Sequence, residues 1–302
     1  MSFPNYRAEA VRVRVPASSA NLGPGFDCFG LALALHDLVE VQVIDDGLDL
    51  SVSGEGAHTV SRDTRHLVVR SMSECFARLG GSPPGVRVAC TNAIPHGRGL
   101  GSSSAAIVAG IVAARALCLD GVERLDDAAL LRLASELEGH PDNVAAALTG
   151  GFTLAWTEPE GARVLRLEPS AGIVPVVLVP EAELSTRKAR GLLPKTVPHA
   201  DAAANAGRAA LLVEALTHRP DLLLVATEDR LHQDYRGPAM PATLDLISRL
   251  RGDGVAATVS GAGPSVLALA TADTADLVAK SAGPGWRVHR LCVDPGGATV
   301  LS

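Results

Sequence analysis

The segment 95-PHGRGLGSSSA-105 constrains this chain more than any other, because three alternate glycines lead into three consecutive serines and a long apolar run. Glycine can adopt positive φ and leaves room for a ligand to approach the backbone. The segment follows a predicted strand at 86–90 and precedes a predicted helix that begins near Ser102. A helix N-terminus carries unpaired N–H groups and the positive end of the helix dipole, so this order predicts an anion-binding loop.

Two common phosphate motifs do not fit this segment. A Walker A loop ends in Gly-Lys-Ser/Thr, but the position five residues after Gly97 is Ser102, and no lysine lies nearby. The dinucleotide fingerprint G-x-G-x-x-G fails because Ser102 or Ser104 stands where its third glycine is required. As a structural alternative, the glycines form a turn and one serine caps the helix. Three serines exceed what a cap requires, and a hydroxyl can also coordinate Mg²⁺, so the phosphate interpretation is favoured.

The composition indicates a well-packed protein with an acidic balance. Of 302 residues, 47% are hydrophobic and 20% charged, which favours a globular chain of two lobes over a disordered one. The net charge of −6 argues against a general nucleic-acid binder. No apolar run is long enough for a membrane span, the first ten residues lack the apolar core of a signal peptide, and the five scattered cysteines fit reduced thiols. We therefore expect a cytoplasmic protein with neither nucleic-acid nor membrane partners.

Alternating strand and helix patterns predict an α+β fold. The apolar spacing predicts strands at 11–15, 39–44, 86–90, 152–156, 173–179, 255–260, 265–270 and 287–293. It predicts helices at 64–80, 102–119, 126–138 and 142–148, between 201 and 251, and at 273–281. The helix at 102–119 is apolar almost all round, so we expect it to be buried. Helices mixed with antiparallel strands predict an α+β sandwich in each of two lobes.

A second glycine turn, 260-SGAGPS-265, joins two of these apolar strands. Gly261 and Gly263 permit a tight connection, and Pro264 fixes its exit. A glycine-rich hairpin turn is most often structural. Beside the first glycine loop, this turn becomes a candidate neighbour of the same ligand.

Three segments together resemble the GHMP kinases, the small-molecule kinases named after galactokinase, homoserine kinase, mevalonate kinase and phosphomevalonate kinase. The family's three motifs are similar, in order and separation, to 16-PASSANLGPGFDCFG-30, 95-PHGRGLGSSSA-105 and 260-SGAGPS-265. The first of these and 138-EGHPDNVAAALTGG-151 are most similar to the homoserine-specific branch.

The resemblance implies a two-lobed GHMP kinase fold with the active site between the lobes. Residues 1–165 would form the N-terminal, ATP-binding domain, which is similar to ribosomal protein S5 domain 2. Residues 166–302 would form the C-terminal GHMP kinase domain, which is ferredoxin-like. The implied activity is ATP-dependent phosphorylation of the side-chain hydroxyl of L-homoserine, a step of threonine biosynthesis. Homodimers are common among the kinases that it resembles.

The resemblance also implies how the nucleotide and its metal are held. The loop that wraps the ATP phosphates would consist of Pro95, His96, Gly97, Arg98, Gly99, Leu100, Gly101, Ser102, Ser103, Ser104 and Ala105. Glu138 and Ser103 would hold Mg²⁺, with Ser102 as the alternative serine. Glu136 competes with Glu138 but lies about 200° around the helix, so we expect it to be solvated. Arg98 could contact phosphate or face water. A side chain at Gly99 is expected to abolish nucleotide binding without disturbing the fold.

Each charged group of homoserine needs a partner of opposite charge. Arg190, with Thr186 in support, resembles the family's carboxylate-binding element, and Arg236 is the second candidate, since guanidinium groups pair with carboxylates through forked donors. Asn21 and Asp27 are the candidates for the ammonium group. Asp27 could instead cap a turn.

The remaining predicted contacts concern the hydroxyl that is phosphorylated. We assign Asp142 to orient this hydroxyl, because phosphoryl transfer depends mainly on positioning and charge neutralisation; a true general base is left open. His140 could donate to the substrate or pack against the loop, and Gly263 is predicted to lie beside the substrate. Two alternatives remain: a sister kinase acting on a mevalonate-type alcohol, and a non-catalytic nucleotide or amino-acid sensor.

Overall fold

The computed structural model describes residues 3–301, which form two β-sheets with helices packed against them. The first elements are β1 (Val11–Asn21), β2 (Gly25–Ile44), β3 (Gly47–Gly54), α1 (Leu67–Leu79), β4 (Gly85–Asn92), α2 (Ser102–Leu117), α3 (Gly121–Arg124), α4 (Asp127–Glu138), α5 (Asp142–Thr149), β5 (Phe152–Glu158) and β6 (Gly161–Leu167). The others are β7 (Val174–Pro180), α6 (Thr186–Gly191), α7 (His199–Thr217), α8 (Leu223–Ala226), α9 (Gln233–Arg236), α10 (Pro241–Gly252), β8 (Ala256–Val259), β9 (Val266–Ala270), α11 (Ala275–Ser281), β10 (Trp286–Arg290) and β11 (Thr299–Leu301).

The first sheet is organised around the long strand β2. Its main path runs β11-β1-β2-β4-β3, while β5 pairs with a further part of β2 and continues into β6. Only β3 and β4 run parallel among the described pairs, and α1 connects them across the sheet. Alternate residues Val11, Val13 and Val15 are buried, as the period of a half-buried strand requires.

Helix α2 is the centre of the first core. It contacts β1 and β2 on one side and α1, α4 and α5 on others, which explains why its sequence is apolar almost all round. Gly110 lets α1 approach closely, because a Cβ there would lie 2.5 Å from the Val68 carbonyl oxygen. The prediction of a buried helix is therefore confirmed. None of the helices in residues 3–301 combines the length and hydropathy that a bilayer crossing needs.

The second sheet has the strand order β10-β7-β9-β8 and the chain order βαββαβ. This is the ferredoxin-like arrangement. Val176, Leu178 and Val266 face a core shared with α10 and α11, whereas Val177 and Leu267 on the other face join the first core. The predicted α+β, two-lobed fold class is confirmed.

Several parts of the first sheet were not predicted from the sequence: β3, β6, β11 and the first half of β2. β2 begins at Gly25, although alternation predicted a strand only at 39–44, because the glycines of the first motif obscure the period. The chain also returns at its end: β11 pairs with β1, and Leu33 forms a bridge with Val293. Residues from both sides of the predicted 165–166 boundary thus contribute to one sheet, and that division stays a prediction.

Asp294 fastens this returning segment to the first sheet. Its backbone N–H donates to the Ala32 carbonyl oxygen at 3.0 Å. Its buried carboxylate lies 2.7 Å from His36 Nε2 and accepts hydrogen bonds from the Gly296 and Gly297 N–H groups at 2.9 and 2.7 Å. Burial alone would raise the pKa of Asp294, but His36 and the two N–H groups outweigh it and lower the pKa below its usual value.

We expect Asp294→Asn to destabilise the protein at neutral pH but not in acid. A carboxyl with a lowered folded-state pKa stabilises the fold above its unfolded pKa of about 3.9, and this contribution is lost as pH falls through the folded value. Urea unfolding at pH 7 should show a loss of about 1–3 kcal/mol, which shrinks towards pH 3. Asp276→Asn, which removes an exposed pair with Arg290, is the control and should change little at either pH. An equal loss at both pH values for Asp294→Asn would contradict this account.

Candidate active site

A cleft of about 220 Å³ opens where the three glycine-containing motifs meet α4, α5, α6 and α9. It is lined by Asn21, Asp27, Gly97, Gly99, Leu100, Gly101, Ser102, Ser103, Glu138, His140, Asp142, Asn143, Leu184, Ser185, Thr186, Arg190, Arg236, Gly261 and Ala262. Residues more than 200 positions apart in the chain, such as Asn21 and Ala262, therefore line the same polar and charged cleft.

Polar contacts join the three motifs to each other. The Ser260 hydroxyl donates to the Gly99 carbonyl oxygen at 2.7 Å and lies 2.8 Å from the Ser19 hydroxyl. The Asn21 amide donates to the Gly261 carbonyl oxygen at 2.8 Å and accepts from the Asp27 N–H at 3.0 Å. Asn21 thus lines the cleft as predicted, but its side-chain nitrogen and oxygen are both already hydrogen-bonded within the protein.

The glycine loop presents the N-terminus of α2 without a side-chain cap. Gly101 occupies the N-cap position with φ 66° and no serine hydroxyl caps the helix, so the capping interpretation of the serines fails. The first N–H groups of α2 have no intrahelical acceptor and lie at the positive end of its dipole. Ser102 and Ser103 line the cleft at this point, which suits an anion.

The three loop glycines differ in how closely other residues pack against them. A Cβ on Gly99 would overlap the Ser260 carbonyl oxygen and lie 2.9 Å from that of Gly263, and a Cβ on Gly101 would overlap the Ser18 hydroxyl. Gly97 is open, since its nearest neighbour would be the Glu183 side chain at 3.6 Å. The expectation that a side chain at Gly99 leaves the fold intact is therefore wrong: this glycine packs against the third motif.

Five of the predicted phosphate-loop residues do not line the cleft: Pro95, His96, Arg98, Ser104 and Ala105. Arg98 neither lines the cleft nor extends freely into solvent, since its side chain is only 15% exposed. Its guanidinium donates to the Pro180 and Glu181 carbonyl oxygens at 2.9 and 2.6 Å and pairs with Glu183 at 2.9 Å. Arg98 therefore fastens the loop to the end of β7.

Glu138 lies at the end of α4, against the serines of the loop. Its Oε1 accepts hydrogen bonds from the hydroxyls of Ser103 and Ser104 at 2.7 and 2.9 Å. Its side chain is 9% exposed, and among the described residues its ion-pair partner is His140, whose Nε2 lies 4.0 Å away. Glu136 pairs with Arg78 on the surface, as its predicted position around the helix requires.

Asp142 and His140 form a close pair at the start of α5. Asp142 Oδ1 lies 2.6 Å from His140 Nδ1 and accepts from the Asn143 N–H at 2.8 Å, and its side chain is only 2% exposed. Burial lowers the pKa of His140, but the hydrogen bond with Asp142 and the negative charges of Asp142 and Glu138 outweigh it, so the pKa is raised. Asn143, which also lines the cleft, accepts from the Ser18 hydroxyl at 2.9 Å.

Arg190 and Asp27 neutralise each other across the cleft. The guanidinium donates two hydrogen bonds to the carboxylate, at 2.9 and 2.6 Å, and this contact with Asp27 raises the pKa of Arg190. Asp27 has φ 55°, a strained backbone conformation for a residue with a side chain. Each carboxylate oxygen retains a lone pair, so Asp27 can accept further donors.

Arg236 is a buried cation that the protein satisfies incompletely. Arg236 is 1% exposed, and its Nη1 donates to His232 Nδ1 at 3.1 Å and to the Gly261 carbonyl oxygen at 3.2 Å. Its Nε–H has no hydrogen-bond partner among residues 3–301. Burial and the neighbouring charge of Arg190 lower the pKa of Arg236 to about 10. A buried unpaired donor on a cation is costly, and a bound anion would relieve that cost.

Several lining residues differ from the sequence prediction. Gly261 and Ala262 line the cleft in place of Gly263, which faces Met240 in the second core. Thr186 lines the cleft as predicted.

Phe26 was not predicted from the sequence as a residue of the site. The guanidiniums of Arg190 and Arg236 lie 5.6 and 5.4 Å from its ring centre, within cation–π range. An aromatic residue inside the first motif was the available signal.

A second cavity of about 300 Å³ adjoins the glycine loop and shares Ser102 and Ser103 with the cleft. Its apolar wall consists of Val39, Val60, Leu67, Val68, Ala105, Ala106 and Ala109. His96 and His66 also line it, and the buried His66 Nδ1 has no hydrogen-bond partner in the described part of the chain. The two cavities therefore meet at the start of α2.

Comparisons with known proteins agree with this arrangement. The GHMP kinases N-terminal domain matches residues 66–151, and the GHMP kinases C-terminal domain matches residues 202–283. A homoserine kinase of Streptomyces coelicolor is 65% identical over 301 residues, which cover 100% of this chain and 97% of the relative. One of Clavibacter michiganensis is 53% identical, with 96% and 93% covered. The crystal structure of homoserine kinase from Cytophaga hutchinsonii has a TM-score of 0.87 at 28% identity, with 100% of both chains covered.

We expect Gly99→Ala to destabilise the protein more than Gly97→Ala. Both glycines have positive φ, 71° and 63°, so both substitutions carry similar backbone strain. Only the Cβ at position 99 overlaps backbone atoms of the third motif. Urea unfolding should therefore show an additional loss of about 1–3 kcal/mol for Gly99→Ala. Equal losses for the two variants would show that the loop does not pack on the 260–264 turn.

Proposed function

The chain belongs to the GHMP kinases, and we propose that it is a homoserine kinase, which transfers the γ-phosphoryl group of ATP to the side-chain hydroxyl of L-homoserine. The homoserine kinases described above match the chain over almost its whole length. Homoserine phosphorylation is a step of threonine biosynthesis, and we propose that pathway and a cytoplasmic location for the protein. A homodimer also stays a prediction.

The observation that carries this proposal is the buried, incompletely satisfied guanidinium of Arg236 beside the Arg190–Asp27 pair. An α-amino acid brings one carboxylate and one ammonium group. The carboxylate would bind to Arg236, supplying the partner that its Nε–H lacks, and to Arg190. The ammonium would bind to a free lone pair of Asp27, and the protein's own charges then stay balanced around a zwitterion.

The nucleotide is proposed to extend across the start of α2. The triphosphate would lie against the N–H groups and hydroxyls at Ser102 and Ser103, where the helix dipole favours negative charge. The apolar second cavity would take the nucleoside, since it adjoins this point and is lined by aliphatic side chains. His66 Nδ1 supplies a polar atom there for the base.

The residues at the end of α4 fit a magnesium ion. Mg²⁺ prefers hard oxygen ligands and retains phosphate oxygens and waters alongside one or two protein groups. The Glu138 carboxylate and the Ser103 hydroxyl, 2.7 Å apart, offer such ligands beside the phosphate loop. When bound, Mg²⁺ would neutralise negative charge on the phosphates.

Asp142 is proposed to orient the substrate hydroxyl for in-line attack. The hydroxyl oxygen forms a bond to the γ-phosphorus while the bond to the β–γ bridging oxygen breaks and ADP leaves. The hydroxyl proton is lost as the new bond forms and is finally released to solvent. His140 and the Asn143 N–H fix the Asp142 carboxylate through Oδ1. Such positioning suffices for a loose transition state, in which little negative charge needs to develop on the attacking oxygen.

A sister kinase for mevalonate-type alcohols is the second candidate from the sequence. Those substrates carry no ammonium group to occupy Asp27, so the Arg190–Asp27 pair favours an amino acid. A sensor without activity is the third candidate. It would not need the Glu138–Ser103 oxygen pair beside the loop.

We expect ADP release from ATP to depend on L-homoserine. The test is a coupled ADP assay with purified protein and a panel of L-homoserine, L-serine, L-threonine and mevalonate. Homoserine should give the highest kcat/KM, because it alone combines the zwitterion with a hydroxyl two carbons from Cα. Binding of ATP and homoserine without ADP release would identify a sensor. Preference for mevalonate would identify a sister kinase.

We expect Glu138→Gln to lower kcat with little effect on the homoserine KM. The amide loses the negative charge that holds Mg²⁺, and a loss on the order of a hundredfold corresponds to about 2.7 kcal/mol of transition-state stabilisation. The Mg²⁺ concentration for half-maximal activity should also rise. Glu136→Gln, on the exposed face of the same helix, is the matched control and should retain activity. Full activity of Glu138→Gln would remove this residue from the metal site.

A further inference from the structure

His232 is a fully buried imidazole that the reaction described above does not use. Its ring lies between the first motif and Arg236: Nε2 is 2.8 Å from the Gly23 carbonyl oxygen, and Nδ1 is 3.1 Å from Arg236 Nη1. Phe26 packs on the ring at 5.2 Å between centres and also contacts the Arg236 guanidinium. The histidine therefore touches both the backbone of the first motif and a cation that lines the cleft.

The two contacts fix the protonation state of His232. A guanidinium can only donate and a carbonyl oxygen can only accept, so Nδ1 must be the unprotonated acceptor and Nε2 must carry the proton. The ring is thus neutral, in the Nε2–H tautomer. Burial and the charge of Arg236 lower the pKa of His232 against the opposing effect of Asp229, whose Oδ2 lies 3.6 Å from Nε2.

The backbone around His232 is held rigidly. The buried Asp229 carboxylate accepts hydrogen bonds from the N–H groups of Leu231, His232 and Gln233 at 2.8, 3.1 and 2.7 Å. Arg236 follows one helical turn later, and its N–H donates to the His232 carbonyl oxygen at 3.2 Å. The imidazole and the guanidinium are therefore held in register by the same short turn.

These contacts occupy one edge of the guanidinium. Within residues 3–301, both hydrogen bonds that Arg236 side-chain nitrogens make are at Nη1, to His232 and to Gly261, while the buried Nε–H is left without a partner. The Nε and Nη2 groups form a fork of two parallel donors, which matches a carboxylate. Arg236 lines the cleft, and its two Nη1 contacts restrict rotation of the guanidinium.

We propose that His232 is a positioning residue for substrate binding: its Nδ1 accepts a hydrogen bond from Arg236 and aims the remaining fork at the substrate carboxylate. This inference rests on the proposed function, because it requires that Arg236 binds that carboxylate. The histidine acts through Arg236 and does not touch the substrate.

Two substitutions separate the roles of the two ring nitrogens. His232→Asn places an acceptor oxygen near the position of Nδ1 but cannot reach the Gly23 carbonyl oxygen. His232→Gln can donate to Gly23 from near the position of Nε2 but provides no acceptor for Arg236. We expect the homoserine KM to rise about tenfold in His232→Gln, the size of effect expected for one lost hydrogen bond to a charged group. His232→Asn should stay close to the wild type, and the ATP KM should change in neither variant.

A substrate without the carboxylate distinguishes aiming from general packing. With 3-amino-1-propanol, wild type and His232→Gln should have equal kcat/KM, because Arg236 then has no carboxylate to bind. Equal losses in both variants, an equal rise in the ATP KM, or the same penalty with 3-amino-1-propanol would overturn the proposal. Absence of homoserine-dependent ADP release in the wild type would instead contradict the proposed function.

A measurement on the unaltered protein covers the case in which His232→Gln does not fold. ¹⁵N-histidine NMR at pH 7, with the His232 signals identified by their loss in His232→Asn, should show a protonated Nε2 and an unprotonated Nδ1. An imidazolium or the opposite tautomer would exclude Nδ1 as the acceptor and would overturn the inference.

Discussion

The contact between Ser260 and Gly99 holds the two glycine motifs together, and the cleft depends on it. The Ser260 hydroxyl donates to the Gly99 carbonyl oxygen and lies beside the Ser19 hydroxyl, so all three motifs meet at one buried point. Asn21 adds a parallel connection to Gly261. Buried hydrogen bonds of this kind contribute little net energy when made but cost much when broken, so they fix geometry more than they add stability. The loop can approach the turn only because residue 99 has no side chain.

The charges of the cleft are arranged before any substrate arrives. Arg190 and Asp27 neutralise each other, whereas Arg236 is buried and retains an unpaired donor. Burial of that guanidinium carries a desolvation cost that the free energy of folding must outweigh. Binding of an anion to the guanidinium offsets part of this cost. The site is thus preorganised for a ligand that carries both charges. His232 contributes through its contact with Arg236, without touching the ligand itself.

Much of this site could be predicted from short segments. The glycine–serine loop indicated an anion site from its backbone chemistry alone. The resemblance to the GHMP kinases nominated Glu138, and the helix period then placed Glu136 on another face of the helix, in solvent. Arg98 could not be assigned, because its partners on β7 and beyond are more than 80 residues away in the chain. The same holds for β11, three residues without a clear period, which is a strand only because β1 offers it a free edge.

The sequence by itself determined properties that depend on neighbouring residues: where glycine permits positive φ, where a helix begins and ends, and which faces are apolar. Its motif spelling also determined the family. The tertiary structure alone decided which atoms each side chain uses. His232 reaches Gly23 and Arg236 reaches Phe26 through contacts between residues about 200 positions apart in the chain. Periodicity indicates on which face of its own helix or strand a residue lies. Hydrogen-bond partners on other elements are decided only when those elements pack together.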